Sequence, residues 1–213
     1  MIAAATALVL LGGSILLFLD PLFVSFEQSR TGVPGLTGYT SAQLDTVTGR
    51  ILADLVLWRG RFHETLNGAP VLKPGEIQHL VDVRGVFAGL YALVGAAIIA
   101  LMVAFRRARG VEERAAAWRS VAAGARGLAI AVAVVGVFAI FAFDAAFEVF
   151  HELFFPAGSY TFDPRTHKLV QLFPEAFWSE TTIFVGIVVL GAAVVTWWQA
   201  RRRGAALGAE RAG

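Results

Sequence analysis

The chain has 213 residues, 57% of them hydrophobic and only 16% charged, with a formal net charge of +2. A soluble domain carries roughly 45–50% apolar and about 25% charged residues, so this composition and the mean hydropathy of +0.66 place the chain among membrane proteins. No cysteine is present, which excludes a disulfide framework, a thiolate metal site and a thiol nucleophile.

A helix needs about 20 mostly apolar residues to cross a hydrocarbon core of about 30 Å. The first segment to qualify is residues 1–19. It has no basic leader and runs through Leu19, Asp20 and Pro21 without a small-residue cleavage site, so it reads as an uncleaved span. Residues 20–80 then form a connecting segment too long for a plain linker. Within it Thr40 and Gln43 have capping-box spacing. Leu44, Val47, Ile51, Leu55 and Trp58 follow at helical intervals, which predicts an amphipathic helix over about 41–58. That helix would lie on the membrane surface or pack on an external cap, two readings the sequence leaves open. Asn67 and Gly68 supply the positive φ angles of a hairpin turn, with Pro70 confining the second strand to an edge.

The second span covers residues 81–105 and is followed by a basic loop, 106–127, carrying Arg106, Arg107, Arg109, Arg114, Arg119 and Arg126. The third span covers 128–150. Residues 151–181 form another connecting segment, in which 159–172 read as a second hairpin around Asp163 and Pro164. The fourth span covers 182–198, and Arg201, Arg202 and Arg203 begin a tail, 199–213, that is expected to fray past Arg203. The positive-inside rule puts both arginine groups in the cytoplasm. Both termini are then cytoplasmic, and the first and third connecting segments are extracytoplasmic. The arginine patches read as lipid-headgroup anchors rather than a nucleic-acid surface. The predicted fold is all-α and membrane-embedded: four transmembrane helices with a small extracytoplasmic α+β cap built from the first and third connecting segments.

Ionisable residues in the spans carry the chemistry. Asp144, Glu148 and His151 follow i, i+4, i+7 spacing and share one helical face. A charged aspartate at mid-bilayer costs about 2.5–3.5 kcal/mol, so this stripe is expected to face a wet cavity or a partner. An interhelical polar clamp is the purely structural alternative. The outer end of the second span repeats the theme with Glu76, His79, Asp82 and Arg84. Should spans two and three pack as antiparallel neighbours, His79 and His151 meet near the outer membrane surface, where two histidines flanked by carboxylates suit general acid–base work. Burial lowers a histidine pKa and a carboxylate neighbour raises it, and the sequence leaves that balance open. His63 and His167 are weaker candidates. Neither a GxSxG elbow nor an HExxH motif occurs, since Phe155 stands where the latter needs its second histidine. A zinc site from His79, His151 and one carboxylate stays open as a minor alternative.

Three stretches resemble a bacterial membrane family, the lipoprotein intramolecular transacylases. They are Glu76–Arg84 (EIQHLVDVR), Phe150–Phe155 (FHELFF), and Tyr160–Pro164 (YTFDP) with Leu172–Trp178 (LFPEAFW). Their order and their placement around the spans match over nearly the whole chain. Leu80 replaces a more frequent methionine and Arg84 a frequent lysine. The resemblance implies a bacterial cytoplasmic-membrane enzyme with an extracytoplasmic site. It would move the sn-2 acyl chain of a diacylglyceryl-modified lipoprotein onto the α-amine of its N-terminal cysteine, giving a lyso-form lipoprotein. It further implies that His79 and His151 are the catalytic pair, and that membrane lipids and the diacylglyceryl lipoprotein are the partners. No cofactor or metal is called for. Glu76, Asp82, Arg84, Asp144 and Glu148 would support the pair, with Arg84 pairing with Glu76 or Asp82. Which histidine is the base stays open. A small proton- or metal-handling transporter is the main rival, and an assembly factor with a partner-binding cap is the third reading.

Overall fold

The computed structural model describes residues 1–209. In chain order these residues form helices α1 (Ile2–Leu17), α2 (Pro21–Arg30), α3 (Val33–Thr37) and α4 (Ser41–Val56), strands β1 (Thr65–Leu66) and β2 (Ala69–Pro70), and helices α5 (Pro74–Arg107), α6 (Val111–Phe141), α7 (Phe143–Phe154), α8 (Lys168–Leu172) and α9 (Glu175–Ala209). Three of them, α5, α6 and α9, are long and apolar enough to cross a membrane. A fourth span exists if α1 and α2, bent by 65° at their junction, count as one. The residues fall into two compact units, one of 1–16, 90–138 and 183–209, the other of 17–89 and 139–182.

In the first unit, Leu128, Val189 and Ala193 pack with Leu10, Leu11 and Val185. A second cluster joins Val121, Ala122 and Ala200 to Ile2, Phe105, Trp118 and Trp197. Small residues let membrane helices approach closely. A Cβ on Gly124 would lie 2.2 Å from the Ala3 carbonyl oxygen, so only glycine fits there. Large apolar side chains such as Ile99, Ile130 and Ile187 stay exposed, as on a surface made for lipid tails. Arg201, Arg202 and Arg203 sit over the rings of Trp197, Trp198 and Trp118 at 5.0, 4.7 and 4.8 Å, and this combination suits a headgroup boundary.

The second unit is organised around α4. Its Thr40–Gln43 capping box forms in both directions. Leu44, Val47, Ile51 and Leu55 are buried against Val33, Phe62, Val71, Leu72, Leu80, Leu169 and Leu172. The expected hairpin also forms: Thr65 pairs with Pro70 and Leu66 with Ala69, across Asn67 (φ 53°) and Gly68 (φ 81°).

Several expected boundaries shift. The amphipathic helix stops at Val56, and Trp58 leaves the buried face with a φ of 56° and 56% exposure. The basic loop is mostly helix. Only 108–110 connect α5 to α6, because Glu113 accepts hydrogen bonds from the Arg109 and Gly110 amides and so caps the start of α6. The third span is not continuous to 150. The backbone breaks at Ala142 (φ −142°, ψ 50°), and α7 restarts with Asp144 in its first turn, where a helix dipole favours an anion. The second predicted hairpin is absent, and residues 159–172 form turns and then α8. Helix α9 begins seven residues before the fourth span was expected to start and continues through the segment that was expected to fray, as far as Ala209. The remainder of that tail lies outside the described residues.

Replacing Gly124 by alanine should overpack the contact with Ala3. The expected loss is about 1–3 kcal/mol, readable as a lower thermal unfolding midpoint in detergent, whereas Gly136→Ala, with open space around it, should change it little.

Candidate active site

The site lies in the second unit and begins with the first turn of α5. Pro74 occupies a position where a missing N–H costs nothing. Glu76, fully buried, then accepts a hydrogen bond from the Lys73 amide at 2.7 Å, the carboxylate half of a capping box. Its other oxygen accepts from the Leu169 amide at 2.6 Å. One carboxylate thus closes the start of α5 and the start of α8 together. This bond also explains the missing hairpin: an anion satisfies an amide of the first turn of α8, and the Asp163 carbonyl accepts from the Thr166 and His167 amides at 3.0 Å.

One turn along α5, His79 is buried, and its Nδ1 has no hydrogen-bond partner. It lies before the uncharged stretch 85–105, whose 21 residues match the roughly 30 Å of a hydrocarbon core. His151, also buried, comes from the last turn of α7. The two rings stack at 6.0 Å between centroids, only 21° from parallel. His151 Nδ1 lies 2.7 Å from the Phe147 carbonyl oxygen. A carbonyl only accepts, so Nδ1 carries the proton and neutral His151 keeps its lone pair on Nε2.

Aromatic rings enclose the pair. Phe155 is 4.8 Å from His79 and 5.4 Å from His151. Phe162 lies 5.7 Å from His79, while Phe147 and Tyr160 lie 4.2 and 4.9 Å from His151. Burial in this box is the main reason that His79 is pushed down to about 4; the nearby His151 acts in the same direction and Asp82 against it. The desolvation side of the balance left open by the sequence therefore wins at His79.

The other expected residues divide. Asp82 accepts from Gln78 at 3.1 Å and reaches His79 only through space. Arg84 pairs with neither Glu76 nor Asp82. It donates to the Gly60 carbonyl at 3.0 Å and lies 5.2 Å from both the Trp58 and Phe62 rings. Glu148 is exposed and accepts a long 3.4 Å bond from the Tyr160 hydroxyl. Asp144 is exposed and, among the described residues, makes no hydrogen bond or ion pair. His63 is also exposed, and His167 Nδ1 meets Thr166 and the Asp163 carbonyl oxygen instead of the paired imidazoles. Among the described residues no three of His, Asp and Glu converge tightly enough to hold a metal ion. The aromatic walls carry no titratable signal that would single them out in the sequence, apart from Tyr160. Phe155, Tyr160 and Phe162 lie in the aromatic-rich Phe150–Phe155 and Tyr160–Pro164 stretches, and Phe147 stands four residues before His151 on the same helix.

Residues 1–178 match the family model described as lipoprotein intramolecular transacylase Lit. The chain belongs to the lipoprotein intramolecular transacylase family. The crystal structure of the membrane integral transacylase Lit from Bacillus cereus is similar over 100% of this chain and 95% of that one, with a TM-score of 0.75 at 16% identity. Two variants of the Bacillus cereus protein, with a histidine replaced by arginine or by alanine, match with TM-scores of 0.72 and the same 16% identity. They cover 95% and 100% of this chain and 88% and 93% of their own lengths. At that identity the likeness is one of fold. Comparison with curated protein sequences gives no match. Membership in the transacylase family makes the chain a multi-pass membrane acyltransferase, and the transporter alternative finds no support.

Two outcomes follow from this geometry. Glu76→Ala leaves two amides without their carboxylate acceptor and should lower stability by about 2–4 kcal/mol, measured by chemical unfolding in detergent. For His79 the folded-state value lies below the ordinary 6.5, so the unfolded chain takes up the proton first as pH falls. The stability from keeping this ring neutral is complete above about 6.5 and is lost as pH falls toward about 4. His79→Gln should show a smaller fall in unfolding midpoint across that window than the unsubstituted protein.

Proposed function

We propose that the chain transfers the sn-2 acyl group of a diacylglyceryl lipoprotein to the α-amine of the same molecule's N-terminal cysteine, with His151 as general base and His79 as hydrogen-bond donor. The observation that carries the assignment is the bond between His151 Nδ1 and the Phe147 carbonyl oxygen. It holds the imidazole in one orientation and leaves Nε2 as the basic atom. An α-amine has a pKa near 7.7–8.0, so a usable fraction is neutral at physiological pH.

In the proposed step the amine nitrogen attacks the ester carbonyl carbon as His151 Nε2 takes its proton. The resulting oxyanion receives a hydrogen bond from a neutral His79 ring, stronger in a dry aromatic enclosure than in water. On collapse the bond from the carbonyl carbon to the sn-2 oxygen breaks. The His151 imidazolium returns the proton to that oxygen, leaving a glyceryl hydroxyl and an amide. Protons balance, and no enzyme-bound acyl intermediate is needed, because nucleophile and ester belong to one molecule and share a high effective concentration. Tyr160 holds one wall of the enclosure, Asp82 acts on His79 through space, and Glu76 and Arg84 position the helix that carries it.

The arginines at the end of α5, on α6 and at 201–203 favour a topology with cytoplasmic termini and an extracytoplasmic site, open to the outer leaflet. In that arrangement the apolar surface between helices receives the substrate's chains, and membrane lipids surround it.

The test is mass spectrometry of a lipoprotein produced with this protein in cells that lack other N-acylation. An N-acylated, monoacylglyceryl terminus is expected. His79→Gln or His151→Gln should each reduce it by at least about 10²-fold while the protein remains folded in the membrane. A diacylglyceryl terminus made alongside the unsubstituted protein rejects the reaction. Retained product in the double histidine variant instead favours the assembly-factor reading.

A further inference from the structure

Beyond α4 lies a cleft that the proposed acyl transfer does not use. It has a volume of about 340 Å³, and Arg50, Asp54, Arg59, Arg61, His63 and Glu64 line it. That volume is within the range of small-molecule sites. The three guanidiniums are exposed, and among the described residues none of them makes a salt bridge or hydrogen bond. Glu64, by contrast, is only 7% exposed, and its Oε2 has no hydrogen-bond partner. Asp54 is already engaged, accepting from the Phe62 amide at 2.7 Å. The floor requires glycine at position 60, where a Cβ would lie 2.4 Å from Asp54 Oδ1.

Two unsatisfied features therefore face the same space. Arg50 acts on Glu64 through space, but the hydrogen-bond donors of the three guanidiniums are unused among the described residues, and they match an anion with several acceptor oxygens, the kind of group that guanidinium forks bind. A buried carboxylate oxygen without a partner calls for a donor. A phosphodiester that carries a hydroxyl supplies both. Leu57 and Trp58, 55% and 56% exposed, adjoin the cleft; apolar and tryptophan side chains beside arginines are the signature of a headgroup boundary. Trp58 and Phe62 both hold positive φ angles, so the lip of the cleft keeps a conformation that side chains disfavour. Arg84 pins that lip through Gly60 and the two rings, from the same helix that carries His79.

We propose that this cleft binds the phosphodiester headgroup of an anionic phospholipid, with Arg50, Arg59 and Arg61 on the phosphate and Glu64 accepting from a headgroup hydroxyl. Burial first, and then the neighbouring Asp54, push the Glu64 carboxyl up, while a backbone hydrogen bond and Arg50 act against them. The site is separate from the paired imidazoles and does not depend on the chemistry assigned to them.

The experiment titrates the full chain in neutral detergent with short-chain phosphatidylglycerol, short-chain phosphatidylcholine or inorganic phosphate, and reads the thermal midpoint. Phosphatidylglycerol should raise the midpoint saturably, phosphatidylcholine should not, and phosphate should require at least tenfold more ligand. The combined Arg50→Gln, Arg59→Gln, Arg61→Gln variant should keep the unliganded midpoint and lose at least tenfold in phosphatidylglycerol affinity. Glu64→Gln should weaken phosphatidylglycerol and leave phosphate unchanged. If the triple variant does not fold, Arg59→Gln and Arg61→Gln singly should each weaken binding severalfold. Unchanged binding in the arginine variants, or equal protection by phosphatidylcholine, overturns the site. Equal protection by inorganic phosphate assigns a bare phosphate site and overturns the headgroup assignment.

Discussion

A single buried carboxylate sets the frame in which the two imidazoles meet. Glu76 has no solvent exposure, and its two oxygens each take a backbone amide, one from Lys73 and one from Leu169. A carboxyl group can be buried in this way only when hydrogen bonds replace its lost water. The helix bearing His79 and the turn that follows the Tyr160–Phe162 wall are thereby tied 93 residues apart in sequence. Gln28 adds a second tie to the same short helix, donating to the Leu172 carbonyl at 2.9 Å. With α8 held in this way, Leu169 and Leu172 are buried in the cluster built on α4.

The consequence for chemistry is a buried, aromatic enclosure around two stacked rings. Phe155 touches both imidazoles, and Phe147 serves His151 twice, with its ring at 4.2 Å and its carbonyl at 2.7 Å. The two histidines are thereby made unequal. His151 has a fixed tautomer, and His79 is driven toward its neutral form by burial. Two like rings side by side would repel if both carried charge. Their inequality suits a reaction in which one imidazole takes up a proton while the other only donates a hydrogen bond.

Local signals were the legible ones. The Thr40–Gln43 cap, the α4 apolar face from Leu44 to Leu55 and the Asn67–Gly68 turn each depend on residues a few positions apart, and each is in the structure, although Trp58 falls outside the helix that the spacing implied. His79 and His151 stood out because ionisable residues beside apolar spans are costly without a purpose. The partners of Arg84 and Glu76 were not legible. A guanidinium near two carboxylates suggests an ion pair, yet Arg84 turns to a carbonyl and two aromatic faces. Strand propensity around 159–172 likewise suggested a hairpin, and a distant carboxylate capped a helix there instead.

The sequence by itself determined that this is a membrane chain with apolar spans, arginine-marked ends and two histidines beside those spans, because hydropathy and charge are summed locally along the chain. Only the tertiary structure decided that the imidazoles stack, that the third apolar run breaks at Ala142 to present Asp144 and Glu148 on an exposed helix, and which atom of His151 is free. Those outcomes turn on which donor meets which acceptor across long stretches of chain, and a pattern of residue types does not encode that choice until the backbone has folded around it.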